Sequence, residues 1–503
     1  MPHPDHVHAR KPLALAIDIG SSSVRAVLFD ADGAQLRNTE QRERYRLEIT
    51  PDGGSMCDPL RIRRLTAKCI VKVCNRLGDQ VRDIAVVGIS CHWHSLMGLD
   101  ATGTPVTPVY MWSDKRSSAD ADDLEGELAL DDTHARTGCR LHSSYWPAKL
   151  RWLQRTRVQV VDSVATWCGL SDWLTAPDGD PVHTSLSMAS ATGLLNTTSQ
   201  TWDDALLERL ALNVSSLPLI KGRTAAIPAA SIHPDLKPAG LDATWYPAMG
   251  DGAAANIGAG AVGSDRIALT IGTSGAIRIA RGFSDSTPLP PGLFRYLIDS
   301  ETEVLGGALS NGGNMIAWLA NLSQSRDRQE LMKQASLIAP DSHGLTMLPF
   351  FAGERAPNWQ DHVGGTITGM TLDTTSVHIM RAMLEATAHR FASVYEDVRG
   401  FAAENHTIVA NGGALLQSPL WSQITADALG HDISALYSRT EASARGAAIS
   451  ALNAHGILSS IRTDPMIGTT YTPRDEATET YRRARKRLES FEAALTLWEH
   501  ENR

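Results

Sequence analysis

Two glycine turns rich in hydroxyls and two aspartates are the residues of this 503-residue chain whose types and spacing best suit chemistry. Gly20, Ser21, Ser22 and Ser23 form one turn, and Gly272, Thr273, Ser274 and Gly275 the other. Glycine lets backbone N–H groups approach an anion, and small hydroxyls add donors without bulk. Either turn alone also reads as an ordinary hairpin; two facing each other would grip a polyphosphate from both sides. Asp18 precedes the first turn in LALAIDIG, where period-two alternation calls for an apolar or a site-facing residue. A carboxylate there is costly unless it is paired or faces a cation. Beside a triphosphate its partner would be Mg²⁺, reached partly through water, and the structural alternative is a salt bridge to Arg25. Asp251 lies between Gly250 and Gly252 in MGDGAAANIGAG, a setting with little neighbouring bulk that leaves room for a substrate hydroxyl. In phosphoryl transfer to an alcohol one carboxylate orients the hydroxyl and takes its proton. Asp251 suits that role, and a helix N-cap, which Asp also favours, is compatible with it.

The elements that must hold these residues read as two similar halves. From Leu13, LALAIDIGSSSVRAVLFDADG predicts a β-hairpin leading into a third strand, and IALTIGTSGAIRIARG repeats the phrase from Ile267 to Gly282. A repeat at half the chain length is the mark of a duplication, not of a short solenoid. After each hairpin, strand-like runs (AVVGIS, TIVANGG) alternate with helix-like ones (LRIRRLTAKCIVKVCNRL, MRAMLEATAHRFASVYEDV, SPLWSQITADALG). That pattern predicts mixed sheets covered by helices. The expected organisation is a disordered leader over 1–12, one domain over 13–262 and a second over 263–503 that ends in a closing helix. Gly258, Gly260 and Gly263 spell a dinucleotide fingerprint, but they follow a helical run instead of a strand. No P-loop motif is present.

Composition excludes other classes. A formal net charge of −9 argues against a nucleic-acid surface. No run of eighteen apolar residues spans a membrane, and Met1–Lys11 lacks the apolar core of a signal peptide. Its histidines, His3, His6 and His8, have no further metal ligand nearby. Six cysteines, none in a C-x-x-C pair and none after Cys168, fit reduced thiols in a cytoplasmic protein.

Nine segments, in order, resemble the FGGY carbohydrate kinases from Leu13 to about Ala451: AIDIGSSSVRAVLFD, GISCHWHSLMGLD, MWSDKRS, MGDGAAANIGAG, LTIGTSGAIRI, LGGALSNGGNMIAWL, LPFFAGERAPNW, VANGGALLQSPLWSQITADALG and ARGAAISAL. The resemblance implies an α/β fold of two ribonuclease-H-like domains, of the actin and hexokinase type, with an ATP cleft between them. It implies Asp251 as catalytic base and Asp18 as the carboxylate on the Mg²⁺ side. ATP phosphates would meet Ser21, Ser22, Ser23, Arg25, Gly272 and Thr273, and adenosine would meet Gly313, Gly412, Gly413 and Gln417. The sugar would meet Trp93, His94, Asp114 and Asp251, with Lys115 and Arg116 as candidates to pair a substrate carboxylate. Trp93 stands where relatives often carry Met. LGGALSNGGNMIAWL, FFAGERAPNW, SDWLT and GCRLHSSYWPAKLRWL are most similar to family members that phosphorylate gluconate. The expected partner is therefore a small sugar or sugar acid, D-gluconate first, with xylulose, glycerol or another polyol as alternatives, and neither nucleic acid nor membrane. A homodimer is compatible with the sequence. A reading of another class is a sugar sensor that binds ATP without catalysis.

Overall fold

The computed structural model describes residues 9–177, 179–322, 327–361, 363–437 and 441–501. The three leader histidines lie outside the described residues. The end of the expected leader is not disordered: Ala9 is buried in the main core, Lys11 pairs with Asp83 at 2.7 Å and Arg10 with Asp32.

The strand Leu13–Ile19 is buried along its whole length because both its faces are covered. Its large side chains, Leu13, Leu15, Ile17 and Ile19, enter a core shared with Ile62, Ile70 and Val73 of the helix Pro59–Leu77. Its small ones, Ala14 and Ala16, meet Ala444, Ala447 and Ala448 of the helix Ala442–Ala454. The strand pairs antiparallel with Ser23–Phe29, which pairs antiparallel with Gln41–Arg44. On its other side Ile84–Cys91 runs parallel to it, and Thr244–Trp245 and Met249–Gly250 run parallel beyond that. Residues from Arg266 repeat the plan. Arg266–Ile271 and Gly275–Gly282 form the hairpin, Thr302–Leu309 pairs antiparallel outside it, and Thr407–Asn411 and then Ile433–Leu436 run parallel on the other side. Both sheets thus share the strand order third, second, first, fourth, fifth, which is ribonuclease-H-like. The second sheet adds Phe294–Leu297 and Ile467–Tyr471 at its edges. Between Ile84–Cys91 and Thr244–Trp245 the chain inserts a layer with its own core around Trp146, Leu150, Leu153 and Leu206.

The helix Ala442–Ala454 comes from late in the chain yet packs on the first sheet and on the helix Asp251–Gly258. The two helices touch backbone to backbone. A Cβ on Gly446 would stand 1.8 Å from the Ala254 carbonyl oxygen, and one on Gly258 1.8 Å from that of Ala442. Arg445 locks the crossing by donating from Nη1 to the Gly258 carbonyl at 2.6 Å and from Nε to Gly33 at 3.0 Å. Gly258 is therefore a helix-crossing glycine, which accounts for the false fingerprint. The final helix, Asp475–Glu501, buries Tyr481 in the core of the second sheet. All six cysteines are buried and free. Among the described residues no helix is long and apolar enough to cross a membrane.

Candidate active site

A cavity of about 240 Å³ lies between the two sheets, lined from the first half of the chain by Ser21, Trp93, His94, Trp112, Tyr145 and Asp251 and from the second half by Gly272 to Ala276, Arg278, Tyr296, Arg355 and Trp359. Asp251 is the first residue of its helix, immediately after Met249–Gly250, so the end of the parallel strand aims it into the cleft. Its Oδ1 accepts from the Gly252 N–H at 2.8 Å. The flanking glycines have a different reason from the one the sequence suggests. A Cβ on Gly250 would lie 1.7 Å from Trp93 Nε1, and one on Gly252 2.2 Å from Trp93 Cζ3. The space belongs to the indole, which is itself fixed by donation to the Ser187 carbonyl at 2.9 Å. Burial pushes the Asp251 carboxyl up to about 6; Arg278, the Gly252 N–H and Arg355 oppose the rise and Asp18 adds to it.

Asp18 sits behind this lining, opposite Arg25 in the hairpin register and 3.4 Å from its Nη1. Arg25 is shared with Glu441, so the salt-bridge alternative is realised, and the field of Asp18 still reaches Asp251. Of the first turn only Ser21 lines the cavity; Ser22 is exposed and Ser23 is buried at the start of its strand. The second turn lines it throughout. Behind that turn, Gly313 N–H donates to the Gly272 carbonyl at 2.8 Å, and a Cβ there would stand 2.7 Å from the same oxygen. Gly412, at φ +95°, would place a Cβ 2.4 Å from the Ile271 carbonyl. Gly413 and Gln417 are exposed next to it, joined by Gln417 Nε2 donating to the Gly413 carbonyl at 2.6 Å. These four residues gather at the back of the second turn, outside the cavity lining itself.

On the sugar side, His94 adopts φ 66° and its Nδ1 stands 2.5 Å from the Ala191 carbonyl. That carbonyl requires a proton on Nδ1, so Nε2 is the ring's acceptor. Burial pushes the imidazole down to about 3, which keeps it neutral. Asp114 does not line the cavity. Its carboxylate accepts from Arg116 Nη2 at 2.6 Å and from the Ser55 N–H at 3.1 Å, so it ties two loops together. Arg116 lies 4.5 Å over the Trp152 ring, and Lys115 Nζ donates to the Asp361 carbonyl at 3.2 Å. Neither reaches the cavity to meet a substrate carboxylate.

The cationic residues that do line it are Arg278 and Arg355, neither of which the sequence had marked as a site residue. Alternation in AIRIA puts Arg278 opposite Ile277 and Ile279 and carried the signal. Its Nε donates to Asn256 Oδ1 at 3.1 Å and its Nη2 to Thr270 Oγ1 at 3.3 Å, and burial pushes it down to about 10. Arg355 lies in FFAGERAPNW, where nothing local distinguishes it from a surface charge. Aromatic rings complete the wall: Tyr145 and Tyr296 share a hydrogen bond of 2.6 Å, and Trp93 meets Tyr296 edge-on at 4.8 Å.

Two duplicated sheets closing on a cavity, with a helix-mounted carboxylate on one wall and a hydroxyl-bearing glycine turn on the other, define the architecture of a two-domain sugar kinase. The chain belongs to the FGGY family of carbohydrate kinases: the family's N-terminal domain matches residues 13–258 and its C-terminal domain residues 267–455. It is a phosphotransferase with an alcohol group as acceptor, and carbohydrate kinases of this family use ATP, typically with Mg²⁺. Among its relatives, a gluconokinase of Bacillus subtilis (strain 168) is 27% identical, with 93% of each chain covered, and a glycerol kinase of Rhizorhabdus wittichii is 28% identical, with 87% of each covered. Solved structures of a gluconate kinase and of a xylulose kinase from Lactobacillus acidophilus share the fold. Each has a TM-score of 0.85 at 24% identity and covers 96% of this chain and 98% of its own.

Proposed function

We propose that this chain transfers the γ-phosphoryl group of ATP to a hydroxyl of a sugar acid, D-gluconate first, giving 6-phosphogluconate and ADP. The observation that carries the sugar-acid reading is the charge of the lining. Two guanidiniums, Arg278 and Arg355, face a single carboxylate, Asp251, while burial holds His92 and His94 neutral, at about 4 and 3. A cleft lined with surplus positive charge favours an anionic acceptor over a neutral polyol. The gluconokinase relatives support the same choice.

In this reading Asp251 accepts a hydrogen bond from the acceptor hydroxyl and takes its proton as the oxygen attacks phosphorus. The new O–P bond forms as the bond to the bridging oxygen breaks, and ADP leaves. His94, neutral and with Nε2 as acceptor, orients a second hydroxyl. Thr273 and Ser274 offer their hydroxyls to the phosphates, and the close backbone approaches at Gly313 and Gly412 hold that turn in place. Asp18 fits a role beside a divalent cation: it is a buried carboxylate whose ion-pair partner, Arg25, is 3.4 Å away and shared with Glu441. Mg²⁺, when bound, neutralises charge on the polyphosphate. Closure around both substrates keeps water from competing with the acceptor.

A coupled ADP-release assay over D-gluconate, D-xylulose and glycerol tests the proposal. D-Gluconate is expected to give the highest kcat/KM. A higher value for xylulose or glycerol overturns the sugar-acid reading, and folded protein that binds sugars without releasing ADP favours a sensor.

A further inference from the structure

Arg355 is the one cationic side chain of the lining whose own protein contacts leave it under-used. Its Nη2 donates to the Leu309 carbonyl at 3.1 Å, its guanidinium lies 4.6 Å over the Trp112 ring, and its Nε, sealed from solvent, has no hydrogen-bond partner. Among the described residues, its polar contacts are therefore a backbone carbonyl and an indole face. The carboxylate whose field reaches it is Asp251, and Arg278 faces that same group. Arg278, by contrast, is held by Asn256 and Thr270 as well. A cation kept in a low-dielectric wall without a counter-ion is costly, which makes sense where the counter-ion arrives with the ligand.

The neighbours of Arg355 say which ligand. It lines the cavity together with Tyr145, Tyr296 and Trp359, and its charge is felt by the sugar-side His94 and by the Tyr145 and Tyr296 hydroxyls. A guanidinium presents paired N–H donors that match the two oxygens of a carboxylate. We propose that Arg355 binds the carboxylate of a sugar-acid substrate and thereby sets selectivity for aldonates over neutral polyols. This rests on the sugar-acid reading above, and it replaces Lys115 and Arg116, which are committed elsewhere, as the carboxylate ligand. The same paired donors would also fit a phosphate of ATP, so the test must separate the two anions.

The test compares D-gluconate with D-gluconamide, its neutral analogue of nearly equal shape, in the wild type and in Arg355→Met and Arg355→Lys. The wild type is expected to prefer gluconate. In Arg355→Met, kcat/KM for gluconate is expected to fall about a hundredfold, while that for gluconamide stays within about threefold and KM for ATP does not move. Arg355→Lys keeps the charge, loses the fork and is expected to lie between. Without ligand, Arg355→Met is expected to melt no lower than the wild type, because the removed charge made no salt bridge and its desolvation cost goes with it; D-gluconate is expected to raise the melting temperature of the wild type alone. Equal losses on both acceptors with a raised KM for ATP assign the residue to phosphate and overturn the proposal. So does a gluconate preference that survives in Arg355→Met, or an unliganded variant that melts clearly lower. A wild type that uses gluconamide as well as gluconate fails at the earlier step, the sugar-acid reading itself.

Discussion

Asp251 can act as a base only while ionised, and burial ties that to pH. With its carboxyl pushed up to about 6, the residue is protonated and unable to accept a proton on the acid side. There kcat/KM is expected to fall about tenfold per pH unit, with a plateau above neutrality. A profile flat down to pH 5 would deny it the role. Asp251→Asn is expected to lower kcat by about 10²–10⁴-fold with ATP affinity near normal. The same burial has a stability consequence of opposite sign. A rise from 3.8 to about 6, at about 1.4 kcal/mol per unit, means that the ionised group costs the fold up to about 3 kcal/mol. The penalty is present above pH 6 and gone below pH 3.8, where both folded and unfolded chains hold the proton. Asp251→Asn should therefore be more stable than the wild type at pH 7 to 8, and the gap in denaturant midpoint should close as the pH falls toward 4. A variant less stable at neutral pH would mean that Arg278 and Arg355 need the charge more than burial opposes it.

Elements differ in how much of themselves they reveal in sequence. The hairpins were legible because alternation and glycine turns are local. The helix Pro59–Leu77 was legible because Asp58 caps it, Pro59 opens it and Ile62, Cys69, Ile70 and Val73 keep one face. The placement of Ala442–Ala454 was not: a stripe of alanine and glycine names no partner, and its partners Ala14, Ala16 and Gly88 lie more than 350 residues upstream. That crossing carries a prediction. Gly446→Ala forces a methyl to within 1.8 Å of the Ala254 carbonyl, so the helices must part, and the helix that bears Asp251 moves. The expected cost is about 1–3 kcal/mol in denaturant midpoint, with a fall in kcat. Gly126→Ala is the matched control: exposed in the helix Ser118–Glu127, with nothing within 4 Å of an added Cβ, it is expected to stabilise by about 0.4–1 kcal/mol. A Gly446→Ala protein as stable as wild type would show that the backbone contact is looser than its geometry implies.

At the scale of the whole molecule, the cavity is assembled from chain segments that only the fold brings together, which is why Asp251, Ser21 and the second glycine turn could be picked out from local sequence and the arginines of the lining could not. The turns recur as a duplicated phrase; Arg355 becomes a site residue only because the loop that bears it crosses toward Trp112 of the first half. That crossing is clasped next to the sugar wall. Asp361, from the same loop, accepts from the Ser143 N–H at 3.3 Å and lies 3.1 Å from His142 Nε2, and its carbonyl takes Lys115 Nζ at 3.2 Å. Lys149, buried, fixes the receiving loop by donating to the Ser143 and Ser144 carbonyls, each at 2.6 Å. Burial would push the Asp361 carboxyl up, but His142, the Ser143 N–H and Lys115 outweigh it and hold the group well below the usual range. Stability from a depressed carboxylate is present above the ordinary pKa near 4 and is lost as pH falls through that value toward the folded one. Asp361→Asn keeps the shape and one acceptor but loses the charge, so it should be about 2–4 kcal/mol less stable than the wild type at pH 7, with the difference narrowing below pH 4. Because the clasp joins the halves that carry the acceptor wall and the phosphate turn, KM for acceptor and nucleotide should rise together. Equal stability at pH 7, or a rise confined to one substrate, would show that the halves are held in register without Asp361.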